Sequence, residues 1–164
     1  MLKRILIICI SLVIVLFAAG YVCLKFLPPF TAIQSASAME NQIVLVDVGN
    51  NYPFGDIQIQ DVMVNNNSKP SKAKVQVSNH SKGFIISDNF DGEEAREYSF
   101  KDLDEVMLKP KTNPQEQLKE VNEGKADKDA IIYAITLSHE EPVHKVIIKY
   151  RYLFYEGEME LSID

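Results

Sequence analysis

Two short runs in the chain hold ligand-forming side chains close enough in sequence to cooperate. The first is His139-Glu140-Glu141-Pro142-Val143-His144. A zinc-protease helix needs histidines four residues apart with a glutamate beside the first, so that both imidazoles face one metal. Here the spacing is five, and Pro142 stands between the two histidines. Proline removes a backbone donor and breaks such a helix. The run therefore reads as a polar turn joining two strands. The second run is Asp88-Asn89-Phe90-Asp91-Gly92-Glu93-Glu94. Aligning Gly92 with the invariant glycine of a calcium-binding loop puts Ser87 at the first ligand position. It also puts Tyr98 at the last, where a bidentate glutamate is required. The run is expected to be a solvated acidic turn, with Asp88, Asp91 and Glu93 its candidates for a looser oxygen-ligand metal site.

Nucleophilic chemistry finds no foothold. The only cysteines are Cys9 and Cys23, both near the N-terminus, and there is no Gly-x-Ser-x-Gly elbow or phosphate-cradling glycine loop. With 23 Asp and Glu in the chain, two carboxylates will fall near each other anywhere, so a pair of them does not single out glycosidase work. No cofactor is expected.

A different kind of site is suggested by the aromatics near the C-terminus. In a strand running through Val146, Ile148, Tyr150, Tyr152 and Phe154, those five share one face, which is expected to be core. Ile147, Leu153 and Tyr155 then fall on the opposite face beside Lys149 and Arg151. Left uncovered, Ile147, Leu153 and Tyr155 would form a partner-binding strip.

The elements that would position these residues are mostly strands. Ile43 to Val48 form a β-branched run that ends at Gly49-Asn50-Asn51. Ile57 and Ile59 alternate with glutamines before the phase slips to Val62 and Val64, which predicts a β-bulge near Asp61. Val75 and Val77 alternate, and Phe84, Ile85 and Ile86 suggest another strand after Gly83. Ile131 to Leu137 form one more. The strand through Val146 is expected to turn at Glu156-Gly157 and return with Met159, Leu161 and Ile163 inward. One short surface helix is expected after the N-cap Asn113, with Pro114 at its first position, Glu116 completing a capping box and Gly124 ending it. Tyr98 to Leu108 fits either period.

Ahead of all this lies a different kind of segment. Ile5 to Leu24 contain no charged residue. Twenty residues of helix rise about 30 Å, the thickness of a bilayer's hydrocarbon core. Lys3 and Arg4 precede the run and Lys25 alone follows it closely, so the positive-inside rule keeps residues 1–4 in the cytoplasm and sends the rest outside. A cleaved signal peptide is the rival reading, with small residues at Ala18-Ala19-Gly20 and Ala36-Ser37-Ala38. The run is longer than a signal's apolar region and favours a retained signal anchor over 5–24. Tyr21 and Val22 are too bulky for lipid attachment at Cys23. Residues 25–42, with Pro28-Pro29 and a small-residue stretch, read as a linker.

Charge sharpens the picture. Beyond Lys25, 14 Lys and Arg stand against 23 Asp and Glu, a net of about −9. That disfavours nucleic acid as a partner, because phosphate backbones need clustered cations. The expected fold is mainly β: a transmembrane helix, then an antiparallel β-sandwich of immunoglobulin-like architecture over 43–164 with one short surface helix. The expected role is a membrane-anchored extracytoplasmic binding or accessory module. It would touch the lipid bilayer through residues 5–24 and an envelope protein through its domain. A hydrolase using an Asp/Glu pair and a calcium- or metal-dependent sensor are the alternatives.

Overall fold

The computed structural model describes residues 2–164. The chain is mainly β, with two antiparallel sheets, an N-terminal apolar helix and one other α-helix. Helix α1 spans Leu2–Phe26. The strands are β1 (Phe30–Ala38), β2 (Ile43–Asn50), β3 (Ile57–Val64), β4 (Lys72–Asn79), β5 (Ser99–Lys101), β6 (Met107–Leu108), β7 (Ile131–Ser138), β8 (Lys145–Tyr152) and β9 (Tyr155–Ser162). Helix α2, Pro114–Asn122, lies between β6 and β7.

One sheet has the order β1-β2-β7-β4-β5 and the other β6-β3-β8-β9. Alternation in each strand sends one set of side chains into a shared core. Val44, Val46, Val48, Val75, Ile135 and Leu137 come from the first sheet; Ile57, Ile59, Val62, Val64, Val146, Ile148, Tyr150 and Tyr152 come from the second. The predicted bulge is present: the β3–β8 register shifts between Ile59 and Asp61. The Asp61 carboxylate accepts from the Val62 amide beside it.

Three expectations are corrected. The stretch 25–42 is no linker. Within it β1 pairs with β2 over its whole length, and Phe30 is fully buried, stacked on Tyr150 with ring centroids 4.8 Å apart. Its small residues disguise an edge strand, because Ala and Ser at alternate positions give no hydrophobic period. Gly83 to Ile86 form no strand either. They run as coil, tied to β4 by the Gln76 side chain, which accepts from the Ile85 amide and donates to the Ile85 carbonyl.

The third correction concerns the β8–β9 hairpin. Tyr152 pairs with Tyr155, so the turn is Leu153-Phe154 and not Glu156-Gly157. Gly157 sits inside β9, opposite Tyr150. A Cβ there would come within 2.4 Å of the Tyr150 ring, so this glycine provides room for an aromatic rather than a turn. The three-residue shift exchanges the roles of the two aromatics: Tyr155 is on the inner side of β9, while Phe154 is exposed at the tip.

Helix α2 begins as its sequence predicts, with the Asn113 side chain accepting from the Gln115 amide and Pro114 in the first turn. The reciprocal capping box is found elsewhere, between Asp102 and Glu105 at a short 3-10 turn. The ambiguous stretch Tyr98 to Leu108 resolves into β5, that turn and β6.

Candidate functional site

The candidate metal residues are not gathered. Asp88, Asp91 and Glu93 are exposed, and among the described residues no three His, Cys, Asp or Glu side chains come together as metal ligands would. Their loop is held by other means. Phe90 stacks on Phe100 at 4.9 Å, and Lys72 donates to the Asp88 carbonyl.

The candidate partner strip is dispersed. Ile147 is only 4% exposed, facing Met63 across β3 and Glu160 across β9. The outer face of β8–β9 is a ladder of opposite charges instead, with Lys145 3.4 Å from Glu160 and Lys149 4.0 Å from Glu158. Of the three residues, Leu153 alone is well exposed, and Tyr155 turns toward α1.

What the fold does assemble is an apolar end where helix and domain meet. Leu24 of α1 is buried in the domain core. The Tyr52 hydroxyl donates to the Leu27 carbonyl at 2.7 Å, and the Asn51 amide to the Pro29 carbonyl at the same distance. Phe154 lies against Phe17 with ring centroids 5.9 Å apart, and Tyr155 meets Tyr21 edge-on at 5.7 Å. Tyr52, Phe54 and Tyr152 form a further aromatic group, with Tyr52 and Tyr152 edge to face at 5.4 Å. Around these contacts Phe26, Leu27, Phe54, Leu153 and Phe154 remain more than half exposed.

Local backbone explains how the two loops hold these residues out. The Asn50 side chain, buried, accepts from the Tyr52 amide and donates to the Gly55 carbonyl, closing the Asn51–Gly55 loop. Gly55 has φ +73, with Tyr152 ring atoms 2.8 Å from where a Cβ would sit. The Tyr152 hydroxyl donates to the Phe54 carbonyl at 2.7 Å. At the hairpin tip Leu153 has φ +52, a left-handed conformation that Asn or Gly adopts at far less cost than leucine. Sequence reasoning missed this end because its members are scattered over α1, the β2–β3 loop and the β8–β9 turn. The signal available was Leu-Phe between two tyrosine-bearing strands.

A second feature lies under α2. Asp47, His80, Phe84, Leu118, Val121, Ile132 and Tyr133 help to line a cavity of about 130 Å³. Asp47 Oδ1 and His80 Nε2 are buried without hydrogen-bond partners. Burial pushes the Asp47 carboxyl up to about 6, against an opposing hydrogen bond from Ser35. Among the described residues, Asp47 is the only carboxylate lining this cavity.

Helix α1 is long and apolar enough to cross a membrane over Lys3–Phe26, a property it shares with signal sequences. Compared with known proteins, the chain matches no family, no curated protein and no solved structure.

Proposed function

We propose that the chain is a single-pass membrane protein that displays an immunoglobulin-like β-sandwich outside the membrane as a non-catalytic binding or accessory module, working through contact with an envelope protein. The observation that carries this reading is the continuity of α1 with the domain. Leu24 is part of the core and Phe30, just beyond the helix, is fully buried, so the apolar helix and the β domain are one body. Cleavage after Ala38 would strip β1 and its Phe30 from the core, and cleavage after Gly20 would release Leu24 from the rest of its helix. A retained anchor keeps both. Lys3 and Arg4 ahead of the apolar run favour a cytoplasmic N-terminal side.

Strand order supports the sandwich. With the short β5 and β6 set aside, β1-β2-β7-β4 follows the A-B-E-D order of a constant-type immunoglobulin sheet and β3-β8-β9 follows C-F-G. The domain lacks that fold's cysteine pair and tryptophan, so its core relies on packing such as the Phe30–Tyr150 stack.

A contact role suits the surface better than catalysis. Retaining and inverting glycosidases flank the scissile bond with two carboxylates. Among the described residues, the cavity under α2 is lined by a single carboxylate, Asp47, whose carboxyl is raised.

Alkaline extraction of membranes tests the anchor. The chain should stay in the pellet at its full 18.6 kDa, and a shorter, extractable species would overturn the reading. Photo-crosslinkers placed on the domain surface in native membranes test the contact role. A discrete adduct that maps to one face is expected; turnover of a glycan or peptide by the purified chain would contradict it.

A further inference from the structure

We infer that the apolar end formed by Tyr52–Phe54, Leu153 and Phe154 is itself a lipid-binding surface, immersed at the headgroup–acyl boundary of the outer leaflet beside α1. The inference rests on the anchored reading above and adds a second point of attachment, so that the domain is seated on the bilayer and not merely tethered to it.

Geometry supplies the first argument. The uncharged run Ile5–Leu24 matches the hydrocarbon thickness only if nearly all of it is used. Phe154 packs on Phe17, which lies about 12 Å of helix rise below Lys25. Tyr155 packs on Tyr21, one turn nearer the surface. A span that uses the whole run therefore carries the β8–β9 tip below the outer headgroup plane. The tip cannot go far, because backbone polar groups need partners in hydrocarbon and Arg151 and Glu156 stand opposite each other just behind the turn. Tyr and Phe at the interface with charges behind them match the aromatic belts of membrane proteins.

The second argument comes from residue choice. A two-residue hairpin favours Asn-Gly, yet this one carries Leu-Phe, with the leucine at φ +52 and both side chains exposed. Backbone cost and exposed apolar surface are accepted together at one spot, a combination expected where a ligand surface is held out.

Charge supplies the third. The domain beyond Lys25 is strongly acidic, but its membrane-facing segments are not. Lys25 lies in the last turn of α1, the Lys111 amide donates to the Tyr52 carbonyl, Lys109 lies beside Asp56, and Arg151 stands opposite Glu156 behind the tip. Lys109 pairs with Asp56 at 2.7 Å, which leaves a net cationic rim suited to lipid phosphates.

The chain has no tryptophan, so a single one reports on its own position. Phe154→Trp, Phe54→Trp, Ile10→Trp and Asn66→Trp variants of the full chain would be reconstituted in phosphatidylcholine vesicles with acyl chains brominated near the headgroup or near the bilayer centre. Phe154→Trp and Phe54→Trp should each lose about half of their emission to the shallow bromines, as side chains at the headgroup–acyl boundary must. Ile10→Trp should respond to the deep ones, and Asn66→Trp, in the β3–β4 loop, to neither. Quenching of Ile10→Trp with unquenched, water-like emission from both tip reporters would overturn the immersed tip and leave the anchor standing. Unquenched but blue-shifted tip emission would show protein covering the surface, a second copy or a partner, and would also overturn the inference. An unquenched Ile10→Trp would overturn the anchor, and the immersed tip with it. If Phe154→Trp fails to fold, Phe54→Trp decides alone.

Discussion

The Tyr52 hydroxyl donates a 2.7 Å hydrogen bond to the carbonyl of Leu27, the first residue beyond α1. One bond thus joins the helix exit to the loop that follows β2. With Leu24 in the core and Pro29 accepting from Asn51, it leaves the domain little freedom to swing on its helix. If the domain acts through contacts as proposed, a body held this way presents the same faces to its neighbours, and entropy otherwise spent on fixing a flexible tether is saved on binding.

Phe30 shows whether the segment after the helix is structural. Phe30→Ala empties a fully buried site and removes the stack on Tyr150. Urea denaturation of the variant should show a loss of about 3 to 5 kcal/mol. A loss under about 1 kcal/mol would return this segment to the status of a linker.

Gly157 fixes the hairpin register. Gly157→Ala forces a methyl onto the Tyr150 ring and should cost about 1 to 3 kcal/mol in the same measurement. A glycine in a loose turn would tolerate alanine with almost no change, so a neutral result would contradict the Leu153-Phe154 turn.

Those two positions also mark the limit of what the residues disclose by themselves. The valine- and isoleucine-rich strands β2, β3, β7 and β8 are legible because burial on one face imposes a strict period of two. The bulge at Asp61 is legible for the same reason, as a phase change. β1 is not, since its partners supply the apolar surface and its own Ala and Ser carry no period. The hairpin turn is misread because Glu156-Gly157 has turn-like composition, while the true turn carries two large apolar residues. Only the cross-strand fit of Gly157 to Tyr150 reveals the register. The apolar end stays hidden for a related reason: it is assembled by tertiary contacts between segments far apart in the chain, up to Phe17 and Phe154.

Replacing Leu153 with Asn should relieve the left-handed backbone at this position. Calorimetry in aqueous buffer with mild detergent should show a domain about 1 kcal/mol more stable than the parent. A less stable variant would mean that Leu153 serves the fold.

Asp47 gives the account a pH dependence. Its folded-state carboxyl is raised from 3.8 to about 6, so the folded chain holds this proton more tightly than the unfolded one. The contribution is therefore fully present below about pH 4 and is lost as pH rises through about 6. Asp47→Asn should stabilise the domain by about 2 kcal/mol at pH 7.5 and by almost nothing at pH 4, as read from denaturation midpoints. Destabilisation at pH 7.5 would show that the ionised carboxylate has a partner in the cavity it shares with His80.

The proposed function depends on which side of a membrane the β domain occupies. In a Cys9→Ala, Cys23→Ala background, Asn66→Cys places one exposed thiol in the β3–β4 loop. Membrane-impermeant maleimide added to intact cells should label it as fully as in lysed cells. Labelling that appears only after lysis would put the domain in the cytoplasm and contradict the account.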